Sequence, residues 1–180
     1  NQRVALVRKL PGMSSVGLRL AYAPTDQVLD GVPPVLEWLN RAASKAVVHV
    51  RRGDKIKHAK YCPNEMQLAT SPEHIARVLR RARVPPGSSV YIMSDETEFD
   101  FFKPLRDDFG YDIATNAHFP HLTTLISGCK APGVKNASCE NFLLFAIEKE
   151  IMNRLPPRRR FVTLPRHDIA HNRLYLMADF

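Results

Sequence analysis

Ala46-Val47-Val48-His49-Val50 is a nearly unbroken apolar run with no alternation of apolar and polar residues. A strand reads this way when both of its faces meet protein, as in a parallel sheet covered by helices on each side. Downstream, helix and strand signals alternate. Ser71-Pro72-Glu73 offers an N-cap, a first-turn proline and an early acid. Ile75, Val78, Leu79 and Ala82 then recur at helical spacing, with Arg77, Arg80, Arg81 and Arg83 on the other face. Pro85-Pro86-Gly87 ends the helix, and Val90-Tyr91-Ile92-Met93 is a second buried strand.

The alternation continues to the end of the chain. Thr97 and Asp100 have the spacing of a capping box before Phe101, Phe102, Leu105 and Phe109. Pro104 falls inside that helix, which must be short, late-starting or kinked. Gly110 stops it before a third strand, Tyr111-Asp112-Ile113-Ala114. Phe142 to Ile151 is apolar nearly all round, which predicts a helix packed on two sides. Pro156-Pro157 breaks it before a fourth strand, Phe161-Val162-Thr163-Leu164. Upstream, Pro34 to Ala43 reads as a helix leading into the first strand. The expected fold is therefore α/β, with a Rossmann-like, mostly parallel sheet and flanking helices. Residues 1–45 form a leading segment and helix, and residues 46–180 the sheet domain. There is no internal repeat or low-complexity tract.

With 180 residues the chain suits one domain, and 44% apolar against 24% charged residues excludes a disordered composition. Lys and Arg exceed Asp and Glu by 26 to 18, and the net +8 favours an anionic partner, a phosphate compound or a nucleic acid. No apolar run approaches the roughly 18 residues of a membrane span. The chain opens on Asn1 with no signal-peptide pattern, so it is expected to be a piece of a longer protein.

Cys129 and Cys139 flank Asn136-Ala137-Ser138, an N-glycosylation acceptor pattern. The arrangement fits an oxidising, secretory compartment in which the two cysteines form a disulfide and Asn136 carries a glycan. Free thiols and a chance acceptor pattern in a cytoplasmic protein stay open as the alternative. Cys62 is left over and reads as an inert thiol.

Ligands of open parallel sheets gather outside the carboxyl ends of the strands. There the first strand ends His49-Val50-Arg51-Arg52-Gly53-Asp54-Lys55. An extended chain sends Arg51 and Arg52 in opposite directions, so one faces a ligand while the other braces a neighbour. A guanidinium grips phosphate through bidentate, charge-assisted hydrogen bonds. Gly53 permits close backbone approach, and Asp54 orients an arginine or holds the turn.

His49-x-Arg51-x-Gly53-Asp54 resembles the HxRxGD motif of the fucosyltransferases that make α-1,2 and α-1,6 links and of the protein O-fucosyltransferases. The string His49 to Lys55 is most similar to the latter two branches. The similarity runs from about Leu18 to Thr163 and includes Ser94-Asp95-Glu96, Phe101-Phe102 and Asn141-Phe142-Leu143-Leu144. The resemblance implies the nucleotide-binding half of a two-domain GT-B enzyme. It implies that Arg51, the catalytic candidate, grips the diphosphate of GDP-fucose, with His49, Arg52, Gly53, Asp54 and Lys55 shaping the loop. Ser94, Asp95 and Thr163 would lie on the donor side, and a glycan or protein hydroxyl would be the acceptor. The sequence departs from the family after the last strand, where Pro165-Arg166-His167-Asp168 replaces a Ser/Thr-rich stretch. The acceptor half, and any base it supplies, is not in this sequence. The chain also lacks an Asp-x-Asp triplet, so no metal is expected, and leaving-group charge falls to arginines and backbone donors.

Three lesser motifs carry blander readings. Arg52-Gly53-Asp54 as an adhesion tripeptide follows a buried strand and tops no free loop. His118-x2-His121 and His167-x3-His171 lack cysteine partners for zinc, and Pro120 argues against a regular helix at the first pair. Asp107-Asp108 reads as a solvated helix end. The rival function is a basic nucleic-acid module built from Arg80, Arg81, Arg83 and Arg158-Arg159-Arg160, which lacks interleaved aromatics for stacking. A third reading is a nucleotide-binding domain that no longer turns over.

Overall fold

Among the described residues, four strands form one sheet in the order β3-β2-β1-β4, every neighbouring pair parallel. They are β1 (Lys45–Val50), β2 (Ser89–Ser94), β3 (Asp112–Ala114) and β4 (Arg160–Thr163). The computed structural model describes residues 24–53, 56, 63–129 and 139–163. In β1, Val48 sits opposite Ile92 of β2 and Phe161 of β4. A strand paired on both edges and covered on both faces has no solvent side, hence its apolar run. The chain builds outward from β1 to β3, then crosses back to lay β4 on the other side of β1.

Among the described residues the helices are α1 (Asp26–Leu39), α2 (Pro63–Ala69), α3 (Pro72–Arg81), α4 (Lys103–Asp107), α5 (Pro120–Ser127) and α6 (Glu140–Arg154). Short 3-10 turns cover Phe99–Phe102, Asn116–His118 and Pro157–Arg159. Successive strand residues face opposite ways, so Val47, Tyr91, Met93 and Ala114 pack under α1, α5 and α6. Ala46, Val48, Val50, Val90, Ile92 and Ile113 pack under α3 and α4. The result is a Rossmann-like α/β fold with helices on both faces. Val47 and Val48 are fully buried, and each such side chain stabilises the fold by about 1.5–3 kcal/mol. Among the described residues, no helix is long and apolar enough to cross a membrane.

Local chemistry explains where the elements start, and in several places it overrides the sequence reading. Ser71 caps α3 as expected, its hydroxyl accepting from the His74 N–H at 3.2 Å. The leading helix, by contrast, begins at Asp26 rather than Pro34 and ends at Leu39. Thr25 caps it, and Pro33 and Pro34 sit inside it. Its buried stripe (Val28, Gly31, Val32, Val35, Leu39) runs unbroken past both prolines, so packing outweighs the donors they remove. Gly31 lies where a Cβ would come within 2.7 Å of Ile147 Cδ1, which brings α1 and α6 close together. α1 therefore shares one core with the sheet.

The capping box at Thr97 does not form. Glu98 precedes the 3-10 turn without a side-chain cap, and α4 starts late, with Pro104 in its first turn. Pro120 starts α5 instead of preventing a helix, because a first-turn proline has no N–H to lose there. Nor is α6 packed on two sides: Phe142 and Phe145 are 64% and 48% exposed, although Ile147 and Ile151 are fully buried. The fourth strand spans Arg160–Thr163, and Leu164 lies outside the described residues.

Candidate functional site

The parallel strands deliver their carboxyl ends to one edge of the sheet, where a cleft of about 850 Å³ opens. β1 contributes His49 and the following Arg51, β2 contributes Ser94 and the following Asp95, and the end of β3 leads to Thr115 and Asn116. The opposite wall is a helical stripe of α6, Asn141, Leu144, Phe145 and Glu148, whose spacing puts all four on one face.

Arg51 and Arg52 diverge as the extended chain requires. Arg51 is exposed and lines the cleft. Arg52 turns the other way: its Nε meets Glu96 Oε2 at 2.9 Å, its Nη1 donates to Thr70 Oγ1 at 2.8 Å, and its guanidinium lies 3.6 Å from the Phe101 ring centroid. It braces the loop and is not part of the cleft wall. The Glu96 carboxyl is held below its ordinary pKa: burial opposes ionisation, but the Glu98 N–H and Arg52 outweigh it.

Gly53 does allow a close approach, and what approaches is Asp95. A Cβ at Gly53 would fall 2.8 Å from Asp95 Oδ2, while Asp95 Oδ1 accepts from the Arg52 backbone N–H at 2.6 Å. One carboxylate thus fixes the turn after β1 and still lines the cleft. The Ser94 hydroxyl is committed, donating to the Val50 carbonyl at 2.8 Å and accepting from the Glu96 N–H at 3.0 Å. Thr163 does not reach the cleft wall. It is 1% exposed and its hydroxyl donates to the His49 carbonyl at 3.4 Å, the partner a buried hydroxyl on β4 needs. Asp54, Lys55 and Asn136 lie outside the described residues.

His49 is held neutral. Burial lowers its pKa, Asp95 partly reverses this, and Arg51 lowers it again. The floor of the cleft carries a group that the sequence reading missed. Glu148 is 6% exposed, and its Oε1 accepts from the Tyr91 hydroxyl at 3.4 Å. Burial raises its pKa to about 8, with the Tyr91 hydrogen bond pulling weakly the other way. At neutral pH it is a carboxylic acid, able to donate a proton into a hydrogen bond. The signal was present in the helical spacing, which puts Glu148, unlike Lys149 and Glu150, on the stripe of Asn141 and Leu144.

Cys129 and Cys139 are joined in a disulfide with their Cα atoms 5.3 Å apart, tying the end of α5 to the start of α6. The bridge anchors the helix that forms the far wall. His118 accepts from the Thr115 N–H at 3.2 Å and stacks near Phe99, so it serves the loop after β3. Among the described residues, no group of three His, Cys, Asp or Glu is placed to hold a metal ion. The arginine clusters are split in role: Arg160 donates to the Leu155 and Asn153 carbonyls at 2.7 and 2.9 Å, capping the end of α6.

Among the described residues the arrangement offers the Arg51 guanidinium, a neutral imidazole, the Asp95 and Glu96 side chains, a neutral acid and a half-exposed aromatic ring around the cleft. A comparison with known proteins finds no matching family model, no matching curated protein and no matching solved structure.

Proposed function

We propose that the cleft binds a nucleoside-diphosphate sugar, GDP-fucose by the resemblance of the His49 to Asp54 motif, and that the chain is the donor-binding part of a fucosyltransferase. The single observation that carries this reading is the place of Arg51. It stands on the cleft wall at the carboxyl end of a central parallel strand, where such sheets bind their ligands. Its planar guanidinium matches two oxygens of a diphosphate. The Phe145 ring supplies an apolar surface for a base or a sugar, and the Asn141 amide a polar neighbour.

In the transfer, the bond between the anomeric carbon and the diphosphate oxygen breaks through an oxocarbenium-like state, and its electron pair leaves with the diphosphate. Arg51 neutralises that developing charge. The acceptor hydroxyl bonds to the anomeric carbon and gives up its proton to a base from the acceptor-binding half. Arg52 and Gly53 position the Arg51 loop, and Asp95 does so from the cleft wall.

Calorimetric titration of GDP, UDP, ADP and GMP tests the reading. GDP should bind best, and Arg51→Ala should weaken it by about 1.5–3 kcal/mol, the worth of a charge-assisted partner. Chelator should change nothing. Equal GDP affinity in Arg51→Ala would remove Arg51 from the site, and GMP binding as tightly as GDP would remove the diphosphate.

A further inference from the structure

Two arginine clusters far apart in the chain meet on the edge of the sheet opposite the cleft. α3 ends as the chain turns into β2, and the Pro157–Arg159 turn leads into β4. Because the strands are parallel, both junctions lie at their amino ends. Arg159 Nη1 donates to the Arg83 carbonyl at 3.4 Å, which brings the junctions together. Arg77 and Arg81 stand one helical turn apart on α3 and lead up to this point. Both act on His74, whose pKa burial lowers first and the two arginines lower further.

Not every nearby arginine is available. Arg80 lies 4.9 Å from the Phe109 ring centroid, and Arg160 is spent on backbone carbonyls. Arg77, Arg81, Arg83 and Arg158 are exposed and Arg159 half-buried. Among the described residues, none of these five forms an ion pair. The acids of the adjoining elements do not pair with them: Asp107 pairs with Arg106, Asp112 is near the Ser89 hydroxyl, and Glu73, one turn before Arg77 on α3, forms no ion pair with it among the described residues.

We propose that Arg77, Arg81, Arg83, Arg158 and Arg159 form a binding surface for a linear sulfated polysaccharide. Like charges gathered without counter-charges repel one another, and a polyanion with regularly spaced groups relieves that repulsion. Guanidinium forks suit sulfate oxygens as they suit phosphate. Among the described residues the surface carries no ring for bases to stack on, since Phe109 is only partly exposed and lies beside Arg80. It carries no large exposed apolar side chain to enter a bilayer either; among the described residues these are Leu68 on α2 and Phe142 and Phe145 on α6. The Cys129–Cys139 disulfide belongs to oxidising compartments, where the abundant polymeric anions are sulfated glycans rather than nucleic acid. Lying at the opposite edge from the cleft, the surface is independent of the donor reading.

The test measures affinity of the chain for a size-defined heparin fragment, a single-stranded oligonucleotide of equal charge and an anionic phospholipid vesicle. The heparin fragment should bind tightest, with affinity falling as salt rises. Arg77→Gln/Arg81→Gln/Arg158→Gln should bind it at least about ten-fold more weakly, since each exposed cation lost removes one contact. Lys103→Gln loses a charge at the start of α4, on the cleft side of the sheet, and should bind like the parent. Weakening by Lys103→Gln as large as that by the triple variant, tighter binding of the oligonucleotide or the vesicle, or no heparin binding by the parent would each overturn the proposal. All four side chains are exposed, so both variants should keep the parent's melting temperature.

Discussion

Replacing Glu148 by Gln should stabilise this protein, and by an amount that depends on pH. In the folded chain the carboxyl is buried against Tyr91 and titrates near 8, against 4.5 for the ordinary group. A carboxyl with a raised folded pKa makes its full contribution below the unfolded value and loses it as pH rises through the folded one. The window therefore runs from about pH 4.5 to 8. At about 1.4 kcal/mol per pH unit, that window is worth about 5 kcal/mol, of which about 3 kcal/mol has gone by pH 7. Gln keeps an oxygen to accept from the Tyr91 hydroxyl and has no proton to lose. Denaturant unfolding of parent and Glu148→Gln at pH 5, 6, 7 and 8 measures the difference directly. The two should be nearly equal at pH 5, and the variant's advantage should widen with each step towards pH 8. Taking the difference largely cancels the titration of groups common to both proteins, His49 included. A difference that stays flat from pH 5 to 8 would show that Glu148 ionises in the fold as it does in water.

Gly53→Ala places a methyl 2.8 Å from Asp95 Oδ2 and should displace the turn after β1, weakening GDP binding in calorimetry by several-fold while melting temperature moves little. Gly31→Val crowds Ile147 from α1 and should cost about 1–3 kcal/mol of stability in denaturant unfolding, as overpacked cores do. Reducing the Cys129–Cys139 bridge should cost about 2–3 kcal/mol in the loop-entropy picture, read from unfolding with and without reductant; two freely alkylating cysteines in the native protein would refute the pairing. The chain alone should bind GDP-fucose yet transfer no sugar, because positioning an acceptor needs a second wall. Acceptor-dependent GDP release at about 1 s⁻¹ or faster would refute that.

Much of the architecture was legible in the residues because its causes are local. An apolar run such as Ala46 to Val50 has one economical place, the middle of a covered parallel sheet. Ser71 and Pro72 announce their helix through groups within a turn of one another. The opposite directions of Arg51 and Arg52 follow from the pleat of a single strand. Helix starts at prolines were harder, since the same residue stops one helix and opens the next. Pro120 opens α5, and the packing of Val32 and Val35 carries α1 through Pro33 and Pro34.

The cleft is another matter, because its walls come from opposite ends of the chain. Glu148 becomes a neutral acid only because α6 buries it against the sheet, beside Tyr91, a residue 57 positions earlier. Asp95 holds the Arg52 backbone and crowds Gly53 across a gap of 43 residues. The exposed Phe142 and the cleft-facing Phe145 look as buried in sequence as Ile147 does, since nothing in a helical period says which apolar residues find a partner. Periodicity and capping act over a few residues and can be read along the chain. Burial, and every pKa, pairing and cleft wall that depends on it, is a property of which segments come together, so only the tertiary structure decides it.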